Sequence, residues 1–309
     1  MVAAASDGRA VLLVGLGAMG FGMGQSLLRA GFRVHGADID PQAMQRFAAE
    51  GGLPVASIGE AARACDIALL VVVNDAQTEA VLFGAEGLSQ HLAPGAVVIS
   101  SATFAPERAI AFEKRLGEHG ILYLDAPISG GAAKAAAGAL SVMASGSPAA
   151  FAASRPVLDA IAATIFELGD RAGPGSAMKM VNQLLAGIHV AATAEAMTFG
   201  IAQGIAPQRM IEVISRSAGS SFMFENRAPF IADGDYHPHS AIDIFVKDLG
   251  IVAATAEREG LSVTLARAAL SRFLEAKAAG LGREGDVALA KIYAAEGSVT
   301  LPGVEMGEG

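Results

Sequence analysis

Residues 173 to 187, GPGSAMKMVNQLLAG, set one lysine among methionine, alanine and valine. An ammonium group is rarely buried without a partner or a task. On a helix Lys179, Asn182 and Gln183 stand at i, i+3 and i+4 and share a face, a polar stripe on an apolar rod. An amine so placed can take a proton from a substrate hydroxyl or return it. A free lysine titrates at about 10.4, and desolvation by apolar neighbours lowers that toward neutrality. Taken alone, the helix favours a lysine that lays its stem along the core and its head in water.

A second stretch, VLLVGLGAMGFGMGQSLLRAGFRVHGADID, carries G-x-G-x-x-G as Gly15, Gly17 and Gly20, after an apolar run and at the mouth of a helical pattern. The first glycine permits a tight turn, the second close approach of backbone to a pyrophosphate, the third tight packing of helix on strand. Leu16, Ala18 and Met19 complete that turn, whose unpaired N–H groups suit a diphosphate. Asp38 follows at the end of the next apolar run, placed to accept from ribose hydroxyls and to repel a 2′-phosphate. No arginine follows in DIDPQ, so the expected cofactor is NAD rather than NADP. A helix-capping role is open for Asp40 more than for Asp38.

LDAPISGG offers the Ser129 hydroxyl and the freely oriented N–H groups of Gly130 and Gly131 at one point, which suits a carboxylate. Taken alone, the stretch favours a plain Ser-Gly-Gly turn. In VISSATFAP, Thr103 either touches the nicotinamide or its ribose or caps a helix starting at Pro106. His237 and His239 in DYHPHS lack a third ligand at a fitting spacing, so a polar loop is expected and no metal. Phe222 and Met223 form either a pocket wall or core.

These residues need elements to position them. The chain has 309 residues, 52% apolar and 17% charged, with 37 glycines and a net charge of −9. That composition describes a globular protein of two domains and disfavours nucleic acid and anionic membrane as partners. The single cysteine, Cys65, reads as a small buried hydrophobe. The N-terminus lacks the pattern of a signal peptide, and a cytoplasmic location is expected. LLAGIHVAATAEAMTFGIA is apolar enough to suggest a membrane span, but His189 and Glu195 interrupt it, so a buried helix is expected.

AVLLVG, FRVHGAD, IALLVVV, AVVIS, ILYLDAP and TIFELG read as strands, and MGQSLLRAG, PQAMQRFAAEG, SIGEAARAC, PERAIAFEKRLGEHG and SPAAFAASRPVLDAI as the helices between them. Apolar strands alternating with helices imply a largely parallel, doubly wound α/β Rossmann domain over residues 1–172. Residues 173–309 read as an all-α domain, opening with a helix of about 28 residues and roughly 40 Å and continuing with helices at APQRMIEVISRS, VKDLGIVAATAEREG, VTLARAALSRFLEAKAAG and DVALAKIYAAEG. LPGVEMGEG reads as a frayed tail.

GLGAMG, DAPISGG with GALSVMASG, GPGSAMKMVNQ and FVKDL, in that order over essentially the whole chain, resemble the β-hydroxyacid dehydrogenases. That family includes 3-hydroxyisobutyrate, tartronate-semialdehyde and threonate dehydrogenases. The resemblance implies a catalytic role for Lys179 and a substrate-carboxylate turn at Ser129, Gly130 and Gly131. It also implies cofactor contacts for Thr103 and Lys247, the latter paired with Asp248. The chain departs from the family in three places. Ser100-Ser101-Ala102-Thr103 keeps only the threonine of D-x-S-T, Val73-Asn74 replaces Leu-Pro, and Gln183 replaces the second asparagine of K-x-x-N-N.

DAPISGGAAKAAAG, VISSATFAP and VVVNDAQTEAVLFG look most like the threonate-oxidising subgroup. Asn182 and Gln183 suit a substrate with several hydroxyls, so the expected reaction is oxidation of L-threonate at C2 to its 2-oxo acid. Other short hydroxy acids or semialdehydes are the alternative, and a non-catalytic cofactor-binding protein is the rival of another class. An imine reductase shares the architecture but usually lacks the lysine. A small anionic hydroxy acid is the expected partner, and a homodimer or homotetramer the expected assembly.

Overall fold

The computed structural model describes residues 9–304. The first eight residues of the stretch read against a signal peptide, and residues 305–309 of the expected tail, lie outside them. The chain divides into two compact units, Met1–Lys179 and Met180–Gly309. The expected boundary at 172/173 falls at the start of a helix, Pro174–Ala202, within which the two units divide.

Among the described residues the first unit is built on nine strands: β1 Ala10–Val14, β2 Arg33–Ala37, β3 Leu53–Pro54, β4 Ile67–Leu70, β5 Val97–Ser100, β6 Leu122–Asp125, β7 Ile128–Ser129, β8 Leu140–Gly146 and β9 Ala162–Glu167. Their order is β3-β2-β1-β4-β5-β6-β8-β7, with β9 also pairing β8. Pairing is parallel from β3 through β6 and turns antiparallel where β8 meets β6 and β7, while β9 joins β8 in parallel. Both sheet faces are covered. Val11, Leu13, Ile67, Leu69, Val97 and Ile99 enter one core, while Leu12, Val14, Ala68, Leu70 and Val98 enter the other. Two-sided burial is why these strands read as unbroken apolar runs.

The expected Rossmann architecture is present, with elements the apolar runs did not reveal. Strands β3 and β7 have two residues each, and β8, LSVMASG, is a buried strand of small residues. Helices Asp75–Phe83 and Gly131–Ala137 were also unexpected. Asn74 caps the first of these by accepting from the Gln77 amide at 2.9 Å. The departure from Leu-Pro therefore starts a helix.

The second unit is helical. Besides the rest of the long helix it holds Pro207–Ile214, Phe222–Asp233, Ile242–Arg258, Thr264–Ala276 and Ala290–Gly297. Phe222–Asp233 was not expected as a helix, because Pro229 sits inside it and a Ser-rich stretch precedes it. Ser221 supplies the cap, accepting from the Phe224 amide at 3.0 Å. Val190, Ala194 and Met197 of the long helix are buried in this unit's core with Ile231, Phe245, Leu249 and Phe273. By length and composition the long helix could cross a membrane. The expected frayed tail begins differently: Leu301 is buried in the helical core, and the Pro302 carbonyl accepts from the Tyr236 hydroxyl at 3.1 Å.

Candidate active site

The glycine turn after β1 has three glycines with three distinct constraints. Gly15 adopts φ +99°, and a Cβ there would stand 2.6 Å from the Val71 carbonyl oxygen. At Gly20 a Cβ would come within 1.9 Å of the Gly15 carbonyl oxygen, so the helix Ala18–Arg29 can sit on the turn only without one. Nothing lies within 4 Å of the Cβ position at Gly17, the residue that starts this helix. That is the open cradle a diphosphate needs, beside the free N–H groups of a helix start. Leu16 is fully buried, while Ala18 and Met19 open the helix.

The Asp38 carboxylate is anchored to this turn. Its Oδ2 accepts from the Leu16 amide at 2.5 Å and its Oδ1 from the Asp40 amide at 2.9 Å. Asp40 caps the helix Pro41–Ala49, accepting from the Gln42 amide. The residues fit a dinucleotide: a turn shaped by glycine, an uncovered helix start and a fixed carboxylate at the end of β2. Thr103 follows β5 and is half-buried; the next helix, Pro106–Gly117, is capped at Ala105 without a side-chain bond.

The Ser-Gly-Gly turn follows β7. Gly130 and Gly131 have φ of +142° and +78°, backbone that side-chain-bearing residues rarely adopt, and they lead into the helix Gly131–Ala137. That helix is tied to the nucleotide-turn helix by the buried Ser26 hydroxyl, which donates to the Ala135 carbonyl at 2.8 Å. One unit thus holds both turns in fixed relation.

Lys179 is 8% exposed, and its Nζ donates to the Ile128 carbonyl at 2.8 Å. Ile128 immediately precedes Ser129, so the amine lies against the backbone that leads into the Ser-Gly-Gly turn. The snorkelling alternative does not describe this lysine. A carbonyl accepts from an amine and from an ammonium alike, so it holds the nitrogen in either protonation state.

In the second unit the Asn182 amide donates to the Gln183 carbonyl oxygen at 2.9 Å, and Gln183 Nε2 donates to Asp248 Oδ2 at 2.5 Å. Lys247 Nζ reaches Asp248 Oδ1 at 2.5 Å. Gln183 therefore links Asn182 to Asp248 through its side-chain amide.

Sequence reasoning missed Asp125, Ser145 and Ser176. Asp125 Oδ2 accepts from the Gly173 amide at 3.0 Å and the Ser176 amide at 2.8 Å, and Oδ1 accepts from the Ser176 hydroxyl at 2.7 Å. Burial pushes the Asp125 carboxyl above the usual carboxylate range, against the pull of bonds from Ser176, Gly173 and Ser145. Its one signal in the sequence was an acid ending a strand. His237 and His239 both face Asp235, with nitrogen–oxygen distances of 3.3 and 3.4 Å. Met223 packs against the helical core, whereas Phe222 is exposed. Cys65 is buried, and burial pushes its thiol up to about 11.

A dinucleotide turn and a buried lysine beside a Ser-Gly-Gly turn are the parts of a nicotinamide-dependent dehydrogenase. Residues 10–169 match the NAD binding domain of 6-phosphogluconate dehydrogenase, and residues 173–293 match the NAD-binding domain of NADP-dependent 3-hydroxyisobutyrate dehydrogenase. The chain is 51% identical over 298 residues to an L-threonate dehydrogenase of Cupriavidus necator, covering 96% of this chain and 98% of that one. It is 45% identical over 294 residues to the L-threonate dehydrogenase of Escherichia coli K12, covering 95% and 96%. A crystal structure of 3-hydroxyisobutyrate dehydrogenase from Salmonella typhimurium superposes with a TM-score of 0.87 at 46% identity, over 92% of this chain and 99% of that one. The chain belongs to the β-hydroxyacid dehydrogenase family, and it is an NAD-dependent oxidoreductase.

The three glycine constraints separate in two variants. Gly17→Ala should keep the unfolding temperature and weaken NADH binding, whereas Gly20→Ala should lower both stability and binding. Thermal unfolding and NADH fluorescence titration check this.

Proposed function

We propose that this enzyme oxidises L-threonate at C2 to the 2-oxo acid, with Lys179 as the group that takes the hydroxyl proton and returns it in the reverse direction. The observation that carries the reading is the buried Lys179 amine, held by the Ile128 carbonyl one residue before Ser129. NAD, when bound, supplies the hydride acceptor. Gly15, Leu16, Gly17, Ala18, Met19 and Gly20 would hold its diphosphate and Asp38 its adenosine ribose, with Thr103 and Lys247 as further contacts on the strength of the resemblance. The substrate carboxylate would lie on Ser129, Gly130 and Gly131, and a second hydroxyl on Asn182, oriented by Gln183.

The L-threonate assignment is supported by relatives of that name at 45–51% identity. A second reading, 3-hydroxyisobutyrate, is favoured by the name of the Salmonella enzyme. We further propose a homodimer or homotetramer, since Val181, Leu185, Phe199 and Leu265 leave apolar surface exposed. A cytoplasmic site of action fits a metabolic dehydrogenase that draws on the NAD pool.

Replacing Lys179 with methionine should leave NADH binding intact and lower kcat by about 100- to 10,000-fold, the usual worth of a positioned acid–base group. Stopped-flow turnover beside a binding titration reads both quantities. Asp38→Asn should narrow the preference for NAD over NADP; an unchanged ratio of kcat/KM values would remove Asp38 from the ribose site. A screen of L-threonate, D-erythronate and 3-hydroxyisobutyrate with NAD tests the substrate. Turnover of 3-hydroxyisobutyrate alone would replace the L-threonate assignment with the second reading.

A further inference from the structure

The long helix begins with a complete set of bonds inside the first unit. A helix start leaves its first N–H groups without intrahelical partners. Here the Gly173 amide goes to Asp125 Oδ2, Pro174 has no N–H, the Gly175 amide goes to the Ser145 hydroxyl at 2.8 Å, and the Ser176 amide returns to Asp125 Oδ2. The Ser176 hydroxyl closes the set on Oδ1. Asp125 is wholly buried, so a carboxylate inside the protein meets the positive end of a 29-residue helix. The approach is close: a Cβ on Gly175 would stand 2.6 Å from the Met143 carbonyl oxygen and 2.7 Å from that of Asp125.

Sheet register supplies the partner. Asp125 at the end of β6 lies opposite Ser145 of β8, and the Ser145 hydroxyl donates to Asp125 at 3.3 Å while accepting from Gly175. Three residues beyond Asp125 comes Ile128, whose carbonyl holds the Lys179 amine. Ser176 and Lys179 are likewise three apart, one turn of helix, on one face. The segment Asp125–Ile128 therefore grips the helix at both ends of that turn, by carboxylate at Ser176 and by carbonyl at Lys179.

We propose that Asp125 is a positioning residue for the reaction: through Ser176 and Gly173 it fixes the rotation and depth of the helix start, and so the place of the Lys179 nitrogen beside the Ser-Gly-Gly turn. The proposal rests on Lys179 being the proton shuttle, and the two stand apart in one experiment. Lys179→Met, Asp125→Ala, Asp125→Asn and Ser176→Ala are compared for NADH affinity, KM, kcat and the primary deuterium isotope effect on kcat. The substrate is the hydroxy acid that turns over fastest in the screen.

Asparagine keeps an acceptor for both amides and turns its NH2 toward a hydroxyl that can accept, so it restores the grip that alanine removes. Asp125→Ala should lower kcat about 100-fold, the effect of an ångström-scale misplacement, at unchanged NADH affinity and with a larger isotope effect. Asp125→Asn should recover most of that loss. Should Asp125→Ala not fold, Ser176→Ala decides, with a several-fold fall in kcat expected at unchanged NADH affinity. If Lys179→Met is inactive while Asp125→Ala, or in its place Ser176→Ala, keeps wild-type kcat, the positioning role is overturned. Equal losses in Asp125→Asn and Asp125→Ala overturn it too. Full turnover in Lys179→Met removes the shuttle itself, and the proposal with it.

Discussion

The bond from the Lys179 amine to the Ile128 carbonyl governs the rest of the first unit. A buried amine needs a partner in either protonation state, and a peptide carbonyl suits both. A carboxylate would hold the charged form too firmly to let its proton go. Ile128 belongs to the two-residue strand β7, Ile128 and Ser129, paired with Val142 and Ser141 of β8. The antiparallel end of an otherwise parallel sheet delivers both this segment and Ser145.

The second unit solves its own charge problem. Asp248 is almost fully buried, and an unpaired carboxylate there would cost several kcal/mol. Lys247 neutralises one oxygen and Gln183 donates to the other. A shorter amide at position 183 would have one methylene less with which to span the same gap. Gln183 in place of asparagine is thus a change in how Asn182 is braced.

Much of this was legible in the residues. The parallel strands announced themselves as apolar runs because both faces of each are buried, and Gly15 and Gly20 leave no room for a Cβ, as a tight turn and a closely packed helix require. Lys179 stood out because a charge on an apolar helix face needs a reason. What stayed hidden was small, local or distant. Strand β8 reads LSVMASG, where serine and glycine mask a strand whose Ser145 hydroxyl is spent on Asp125 and Gly175. Helix Phe222–Asp233 was masked by Pro229, tolerated because tertiary packing outweighs propensity. The contact of Asp125 with Ser176 spans 51 residues, and nothing in LDAPISGG announces its partner.

The lone cysteine has a practical consequence. With burial pushing its thiol up to about 11 and its side chain enclosed, Cys65 stays protonated at neutral pH and shielded from reagents. Peroxide and air oxidation thus find no reactive sulfhydryl on this enzyme, and turnover should not require a reductant. An engineered cysteine on the surface would accept a maleimide dye or spin label at one address, with no need to remove the native thiol first.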